Sequence, residues 1–160
     1  MKKKVLVSAC LLGINCRYDG GHSYLNELEN DDVDFYPVCP EESGGLGTPR
    51  PKAEMQDSAE DIISGDGKIV TINGKDVTKE FIRGAQLCLN TGIEADAEFA
   101  ILKSKSPSCG LGEVYDGSFK GKLHQGDGIF AHLCRKTGMT CITSDNISEI
   151  KKTVQKPKQS

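Results

Sequence analysis

Three runs of large apolar residues in this chain each lead into a loop that carries a cysteine. A short apolar run bounded by Ser, Pro or Gly is typical of a buried strand. The carboxyl ends of parallel strands meet at one edge of an open α/β sheet, and ligands bind at that edge. We therefore expect the three thiols to lie close together. The runs are residues 5–7 before Cys10, residues 33–38 before Cys39 and residues 99–102 before Cys109.

Helical patterns alternate with these strands. Between residues 76 and 90, apolar side chains recur at three- and four-residue steps, with Thr78 as the expected N-cap and Gly92 just beyond the end. Asp127 and Ser144 are the expected caps of two later helices. Strands that alternate with helices predict an α/β fold, here a single three-layer domain with a largely parallel sheet.

Three further segments complete the predicted fold. Residues 139–143 have the pattern of a fourth core strand. Residues 68–72 alternate in polarity and precede Asn73-Gly74, a tight-turn signal, which predicts a small hairpin insertion. Residues 40–51 are rich in glycine and proline, and we expect them to form a loop rather than a helix or central strand.

Composition limits the classes of protein and partner that fit. The chain has 160 residues, 37% of them apolar, which suits one globular core. We expect a single domain over residues 1–150 and a frayed, basic tail over residues 151–160. A net charge of -3 argues against a nucleic acid duplex as partner. Since no apolar stretch suits a bilayer span or a signal peptide, we expect no membrane partner and a cytoplasmic location.

The chain has seven cysteines. An odd count without a secretion signal argues against a disulfide framework and favours free thiols or metal ligands. Cys88, Cys134 and Cys141 fall within predicted helices or strands, where a buried thiol acts as a small apolar side chain. Packing explains the three cysteines at strand ends less well, and Cys16 is intermediate between the two groups.

Soft thiolates bind zinc or iron–sulfur clusters. The strand-end cysteines are far apart in the sequence, whereas zinc ribbons and ferredoxins bring ligands in close pairs, so spacing alone does not identify the metal. Three convergent thiolates leave one iron of a four-iron cluster without a protein ligand. An open position of this kind is typical of catalytic metal sites rather than structural ones.

Six short motifs are spread along nearly the whole chain. They are residues 7–13 (Val-Ser-Ala-Cys-Leu-Leu-Gly), 17–20 (Arg-Tyr-Asp-Gly), 37–41 (Pro-Val-Cys-Pro-Glu), 44–50 (Gly-Gly-Leu-Gly-Thr-Pro-Arg), 106–110 (Ser-Pro-Ser-Cys-Gly) and 126–128 (Gly-Asp-Gly). In this order and combination they resemble the motifs of a bacterial family that includes the thiouracil desulfidases. Several motifs together are far more specific than any one of them.

The resemblance implies a [4Fe-4S] cluster held by Cys10, Cys39 and Cys109. It implies hydrolytic, non-redox removal of sulfur from a small thiolated pyrimidine such as 2-thiouracil, which yields uracil and sulfide. It also implies that Glu41 and Ser106 are the catalytic residues. On chemical grounds, we expect Glu41 to act as the general base and Ser106 to orient the water or the pyrimidine.

Several assignments stay open. Ser104 and Ser108 are further candidates for the catalytic serine, and Arg50 suits either the pocket or the surface. Cys16 is a candidate fourth thiolate, which would close the cluster to substrate. Two other functions fit the same residues: a non-catalytic zinc or iron–sulfur binding or sensor module, and a metal-free enzyme with a low-pKa cysteine nucleophile.

Overall fold

The computed structural model describes residues 2–154 as a central parallel sheet with helices on both faces. Ala9–Leu12 and Asn26–Leu28 are short 3-10 turns. The strands and helices in chain order are β1 (Lys3–Ser8), β2 (Val33–Val38), α1 (Pro40–Ser43), β3 (Ala53–Met55), α2 (Ala59–Ser64), β4 (Ile69–Thr71), α3 (Thr78–Glu94), β5 (Phe99–Leu102), β6 (Glu113–Tyr115), β7 (Leu123–Gln125), α4 (Ile129–Lys136), β8 (Thr140–Thr143) and α5 (Ile147–Val154).

The central sheet has four strands in the order β2-β1-β5-β8, and every neighbouring pair is parallel. Successive side chains of a strand point to opposite faces of the sheet. On β1, Leu6 therefore joins the core on one face, while Val5 and Val7 join the core on the other. Because both faces are buried, the strands appear in the sequence as continuous apolar runs.

Helices cover both faces of the sheet. The core that contains Leu6 includes Phe81 of α3 and Phe130 of α4, both fully buried. The opposite core includes Ile150 of α5. This arrangement confirms the predicted α/β fold with a parallel central sheet.

The predicted hairpin insertion is a two-stranded antiparallel sheet of β3 and β4. The Asn73-Gly74 turn does not join these strands, because it follows β4, where the Gly74 amide donates to the Thr71 carbonyl at 2.8 Å. The connection between the strands contains α2, which the sequence analysis missed. Its N-cap is Ser58, whose hydroxyl accepts from the Asp61 amide at 3.2 Å.

Two helix boundaries differ from the expectations. The segment expected to be a loop begins with the single helical turn α1, because proline is compatible with the first turn of a helix. Helix α3 continues past Gly92 to Glu94. Gly92 is a packing residue: a Cβ atom there would lie 2.5 Å from Leu6 Cδ1.

The two expected N-caps of the later helices bind elsewhere. Asp127 Oδ1 accepts from the Gly112 amide at 2.8 Å. Ser144 Oγ accepts from the Ser104 amide at 2.9 Å, and the Asn146 side chain instead accepts from a backbone amide of α5 at 3.3 Å. Both predictions were wrong because a short polar side chain beside a helix start also serves nearby loops.

Helix α5 extends four residues beyond the domain boundary expected at residue 150, because Thr153 and Val154 are buried. Residues 151–154 of the expected tail are therefore helical. The rest of the expected tail, residues 155–160, lies outside the described residues. Within residues 2–154, no helix is long and apolar enough to cross a membrane.

Helices α1 and α3 pack with their backbones in close approach. A Cβ atom at Gly84 would lie 1.6 Å from Pro40 O, and one at Gly44 would lie 1.9 Å from Glu80 O. We expect Gly84→Ala to lower the free energy of unfolding by about 3 kcal/mol in urea denaturation, because backbone rather than a flexible side chain must move. Gly47→Ala is the control, since nothing lies within 4 Å of that position, and we expect a change within about 0.5 kcal/mol. Equal stability of the two variants would contradict the backbone packing.

Candidate active site

The carboxyl ends of three adjacent strands carry the three thiols singled out in the sequence. Cys10 lies in the 3-10 turn that follows β1, Cys39 directly follows β2, and Cys109 lies in the loop after β5. The middle strand of the three is β1. Cys10 and Cys109 are buried, with 7% and 4% of their surface exposed, and Cys39 is half-buried. The fold thus brings all three residues to one edge of the sheet.

Cys16 lies at the same edge, beside two of these residues. Its thiol is hydrogen-bonded to the thiols of Cys10 and Cys39, and the bond with Cys10 is the main reason that its pKa is raised to about 11. The pKa of Cys39 is also raised, first by the hydrogen bond with Cys16 and then by burial. Cys39 Sγ also donates to the Cys16 carbonyl oxygen at 3.7 Å. These three cysteines form one contiguous group.

Cys109 approaches this group from the β5 side. Burial is the main cause of the raised pKa of its thiol, which a hydrogen bond with Ser8 opposes. Negative charge on Glu41 and on Cys39 raises this pKa further. Because Coulomb interactions weaken with distance, these shifts place the Glu41 carboxylate and the Cys39 thiol near Cys109.

The chemistry of the thiols bears on which metal group they could hold. Within residues 2–154, no group of three or more His, Cys, Asp or Glu side chains is arranged to hold one metal ion. A closed zinc site needs its ligands around one ion. In an iron–sulfur cluster each thiolate binds a different iron, so neighbouring but separate thiols suit it. Cys10, Cys39 and Cys109 are three soft thiol donors at one sheet edge, which is the donor chemistry that such a cluster takes.

Glu41 is the second residue of α1, which places its carboxylate beside the thiols. Its side chain is 17% exposed, and Oε1 lies 3.6 Å from Arg50 Nε. Burial is the main influence on the pKa of Glu41 and raises it, while the positive charge of Arg50 opposes the shift. A positioned carboxylate in partly desolvated surroundings is suited to accept a proton from water.

Arg50 joins the loop after α1 to the rest of the site. Its side chain is only 7% exposed. Nη2 donates to the Cys16 carbonyl oxygen at 2.9 Å, and Nη1 donates to Thr48 Oγ1 at 2.8 Å. The structure therefore places Arg50 in the site rather than on the surface. The only sequence signal for this position was its Thr-Pro-Arg motif.

The three candidate serines occupy different positions. Ser106 Oγ accepts the backbone N–H groups of Ser108 and Cys109, each at 3.0 Å, and so holds the turn that carries the Cys109 thiol. Ser108 is fully buried with its hydroxyl against the Glu41 carboxylate, yet within the described residues it makes no hydrogen bond of ordinary geometry. The Ser104 amide is bonded to the segment after β8. Ser106 contacts the backbone of Cys109, and Ser108 lies beside the Glu41 carboxylate.

The remaining cysteines pack in the core, as the sequence predicted. Cys88 and Cys134 are buried, and Cys141 is partly buried against the same core. The thiols of Cys134 and Cys141 are hydrogen-bonded to each other. Cys88 Sγ lies 3.5 Å from Ser43 Oγ.

Three comparisons with known proteins find relatives that match nearly the whole chain. Residues 5–146 match the model of a protein family described as 2-thiouracil desulfurase. Uncharacterized protein YbbK of Bacillus subtilis (strain 168) is 40% identical over 149 residues, which cover 91% of this chain and 99% of the relative. A solved structure described as the [4Fe-4S]-dependent thiouracil desulfidase TudS is similar with a TM-score of 0.83 and 39% identity, over 95% of this chain and 97% of the other.

Proposed function

Because the chain belongs to the 2-thiouracil desulfurase family, we propose that it is an iron–sulfur-dependent enzyme that converts a thiolated pyrimidine such as 2-thiouracil to uracil and sulfide. The reaction adds water to the thiocarbonyl carbon and releases the sulfur without a change of oxidation state. One observation carries this proposal: Cys10, Cys39 and Cys109 lie at one edge of the sheet, where the charge of the Glu41 carboxylate raises the pKa values of the Cys39 and Cys109 thiols.

The three thiols are the proposed ligands of a [4Fe-4S] cluster. They come from three adjacent strand ends, and burial or half-burial shields them from water. When bound, such a cluster supplies an iron without a protein ligand, a thiophilic Lewis acid for the substrate sulfur. The chain's own residues then have two tasks, which are to hold the pyrimidine and to deliver water.

Glu41 is the proposed general base. Its carboxylate accepts a proton from the water that attacks the carbon bearing the sulfur. Arg50, 3.6 Å from Oε1, keeps the carboxylate in place and favours its charged form. To balance the protons of the reaction, this proton leaves with the departing sulfur. Glu41 thereby returns to its charged form and can accept a proton from the next water molecule.

Ser106 is the proposed orienting hydroxyl. Its oxygen already accepts two backbone amides, which fixes its position. The hydroxyl hydrogen is then available to donate to the attacking water or to the pyrimidine. Ser106 thereby links the geometry of the Cys109 loop to the placement of the reactants.

The test is anaerobic purification followed by metal analysis and assay. We expect about four irons and four acid-labile sulfides per chain, and release of one uracil and one sulfide per 2-thiouracil consumed. The control is the same preparation with its iron removed by a chelator, which we expect to be inactive. Stoichiometric zinc without sulfide release would overturn the proposal.

A closed, non-catalytic cluster is the second candidate function, because the Cys16 thiol contacts those of Cys10 and Cys39. The two functions predict different results for Cys16→Ser. A three-thiolate enzyme keeps its iron content and its sulfide release in this variant, whereas a four-thiolate cluster loses iron or gains a turnover that the wild type lacks. We expect the first result. At Cys39 and Cys109 the pKa of the thiol is raised, which is the opposite of what an activated cysteine nucleophile at either position requires.

A further inference from the structure

A segment to which the proposed reaction gives no task, residues 126–128 (Gly-Asp-Gly), lies against the loop that carries Cys109. Asp127 Oδ1 accepts from the Gly112 amide at 2.8 Å. On either side of Asp127, a glycine amide of the segment donates to a carbonyl oxygen of the same loop, to that of Gly112 at 3.1 Å and to that of Gly110 at 2.8 Å. Three hydrogen bonds therefore hold the chain directly after Cys109.

The first turn of α4 continues this contact along the loop. The Ile129 amide donates to the Pro107 carbonyl oxygen at 2.9 Å. The Ala131 amide donates to the Ser108 carbonyl oxygen at 3.0 Å. A Cβ atom at Gly128 would lie 2.6 Å from the carbonyl carbon and oxygen of Ser108, so the two segments pack backbone against backbone. The loop thus supplies acceptors for amides that the start of a helix leaves without an intrahelical partner.

The Asp127 carboxylate is the side-chain member of these contacts, so a substitution can remove its bond and leave the backbone bonds in place. It is 15% exposed, and Oδ2 lies 3.4 Å from Nε of Arg135. Because the Arg135 side chain is 55% exposed, solvent screens that ion pair. A hydrogen bond to a charged acceptor is stronger than one between neutral groups. The bond to Gly112 is therefore the larger contribution of Asp127 to the order of the loop.

Of the three proposed cluster ligands, Cys109 depends most on the loop around it. Cys39 directly follows β2, and Cys10 lies in the short turn that follows β1, so the sheet itself places both. Strand β5 ends at Leu102, and the chain runs through the loop before it reaches Cys109. The contacts of that loop therefore determine where the third thiol lies.

We propose that Asp127 is a positioning residue for Cys109. By accepting from the Gly112 amide, its carboxylate holds the loop at the sheet edge where Cys10 and Cys39 also lie. The inference rests on the proposed function, and it gives the Gly-Asp-Gly segment a task in cluster binding. Asp127 acts through the loop and takes no part in the reaction.

Iron retention tests this role. In protein prepared without oxygen, we expect Asp127→Ala to lose its iron to a chelator about 10- to 100-fold faster than the wild type, the usual cost of removing a group that orients a metal ligand. Asp127→Asn keeps an oxygen that can accept from Gly112, and it should lose iron within about twofold of the wild-type rate. Equally fast loss from both variants would overturn the proposal, because the charge rather than the bond to Gly112 would then retain the iron.

Asp116→Ala is the matched control. Asp116 Oδ1 accepts from the Ser118 amide at 2.9 Å, so this variant loses a bond of the same kind from the connection between β6 and β7. That connection carries none of the proposed ligands, and we expect iron loss at the wild-type rate. A control that loses iron as fast as Asp127→Ala would overturn the assignment, since any weakened loop would then have the same effect.

Hydrogen exchange gives a second readout that does not depend on activity. In the protein as purified, whatever its iron content, we expect the Gly112 amide of Asp127→Ala to exchange about tenfold faster than that of the wild type, because its charged acceptor is gone. The amides of β5 should keep their wild-type rates. Unchanged exchange at Gly112 would overturn the positioning role.

The outcomes separate this role from the proposed function. A wild-type protein that holds no iron after anaerobic purification and releases no sulfide from 2-thiouracil overturns the proposed function, and this inference with it. A wild-type protein that holds iron and releases sulfide, with an Asp127→Ala variant that retains iron equally well, overturns the positioning role alone.

Discussion

Cys109→Ala is expected to strip the protein of its iron and to abolish sulfide release from 2-thiouracil. The other two proposed ligands, Cys10 and Cys39, follow β1 and β2, and only the loop after β5 supplies a proposed ligand from the opposite side. Without it, two thiolates hold a cluster that needs a third, and the iron is lost to solvent. The measurement is iron and acid-labile sulfide in protein prepared without oxygen, together with the visible absorption of the cluster.

The matched control for this experiment is Cys141→Ala. Cys141 lies half-buried on β8, and its thiol is hydrogen-bonded to that of Cys134. Its replacement therefore removes a sulfur from the core and none from the proposed site. We expect it to retain the wild-type iron content. Far-UV circular dichroism checks that both variants are folded. We expect them to be, because β5 ends before the loop that carries Cys109. Full iron in the Cys109→Ala protein would remove this residue from the ligand set.

The fold and the placement of the strand-end cysteines were predictable from the sequence for one physical reason. Strands buried on both faces consist of consecutive apolar residues, and such runs end abruptly where the chain leaves the sheet. The prediction of residues 99–102 as a strand matches β5 (Phe99–Leu102). Once three such strands are parallel neighbours, their following residues share an edge, which is why Cys10, Cys39 and Cys109 lie at the same edge of the sheet.

The parts that were missed depend on contacts between distant segments. Nothing local in the Gly- and Pro-rich stretch after Cys39 shows that it folds back to bury Arg50 against the Cys16 carbonyl group. The short helix α2 has too few turns to show a clear period. Gly92 has the sequence context of a helix end, but it lies inside α3 because Leu6 of the sheet packs against it.

The serines illustrate the same limit within a single motif. Ser106 and Ser108 are two residues apart in one loop, and the sequence favours neither of them on physical grounds. In the structure, Ser106 holds the backbone of the turn, while the buried Ser108 hydroxyl lies against Glu41. The two hydroxyls therefore have different surroundings, which only the folded loop defines.

Glu41→Gln is expected to lower kcat for 2-thiouracil by about 10²–10⁴-fold, the usual contribution of a general base. Glutamine has nearly the same shape but cannot take up the proton from the attacking water. Because no proposed cluster ligand changes and the side chain keeps nearly its shape, we expect wild-type iron content and uracil affinity within about threefold, less than half of the 1.4 kcal/mol that a factor of ten represents. The effect should therefore appear in kcat rather than in metal content or ligand binding.

Glu42→Gln is the control for this variant, because Glu42 is the adjacent carboxylate in α1 and is exposed, and its side chain accepts from the Thr48 hydroxyl. We expect its kcat to match the wild type. Loss of the charge at Glu41 also leaves Arg50 without its ion-pair partner, so urea denaturation is measured in parallel to separate instability from lost catalysis. An iron-loaded, stable Glu41→Gln protein with wild-type kcat would show that another group removes the proton from water. A protein that loses its iron would show that this carboxylate supports the cluster loops rather than the chemistry.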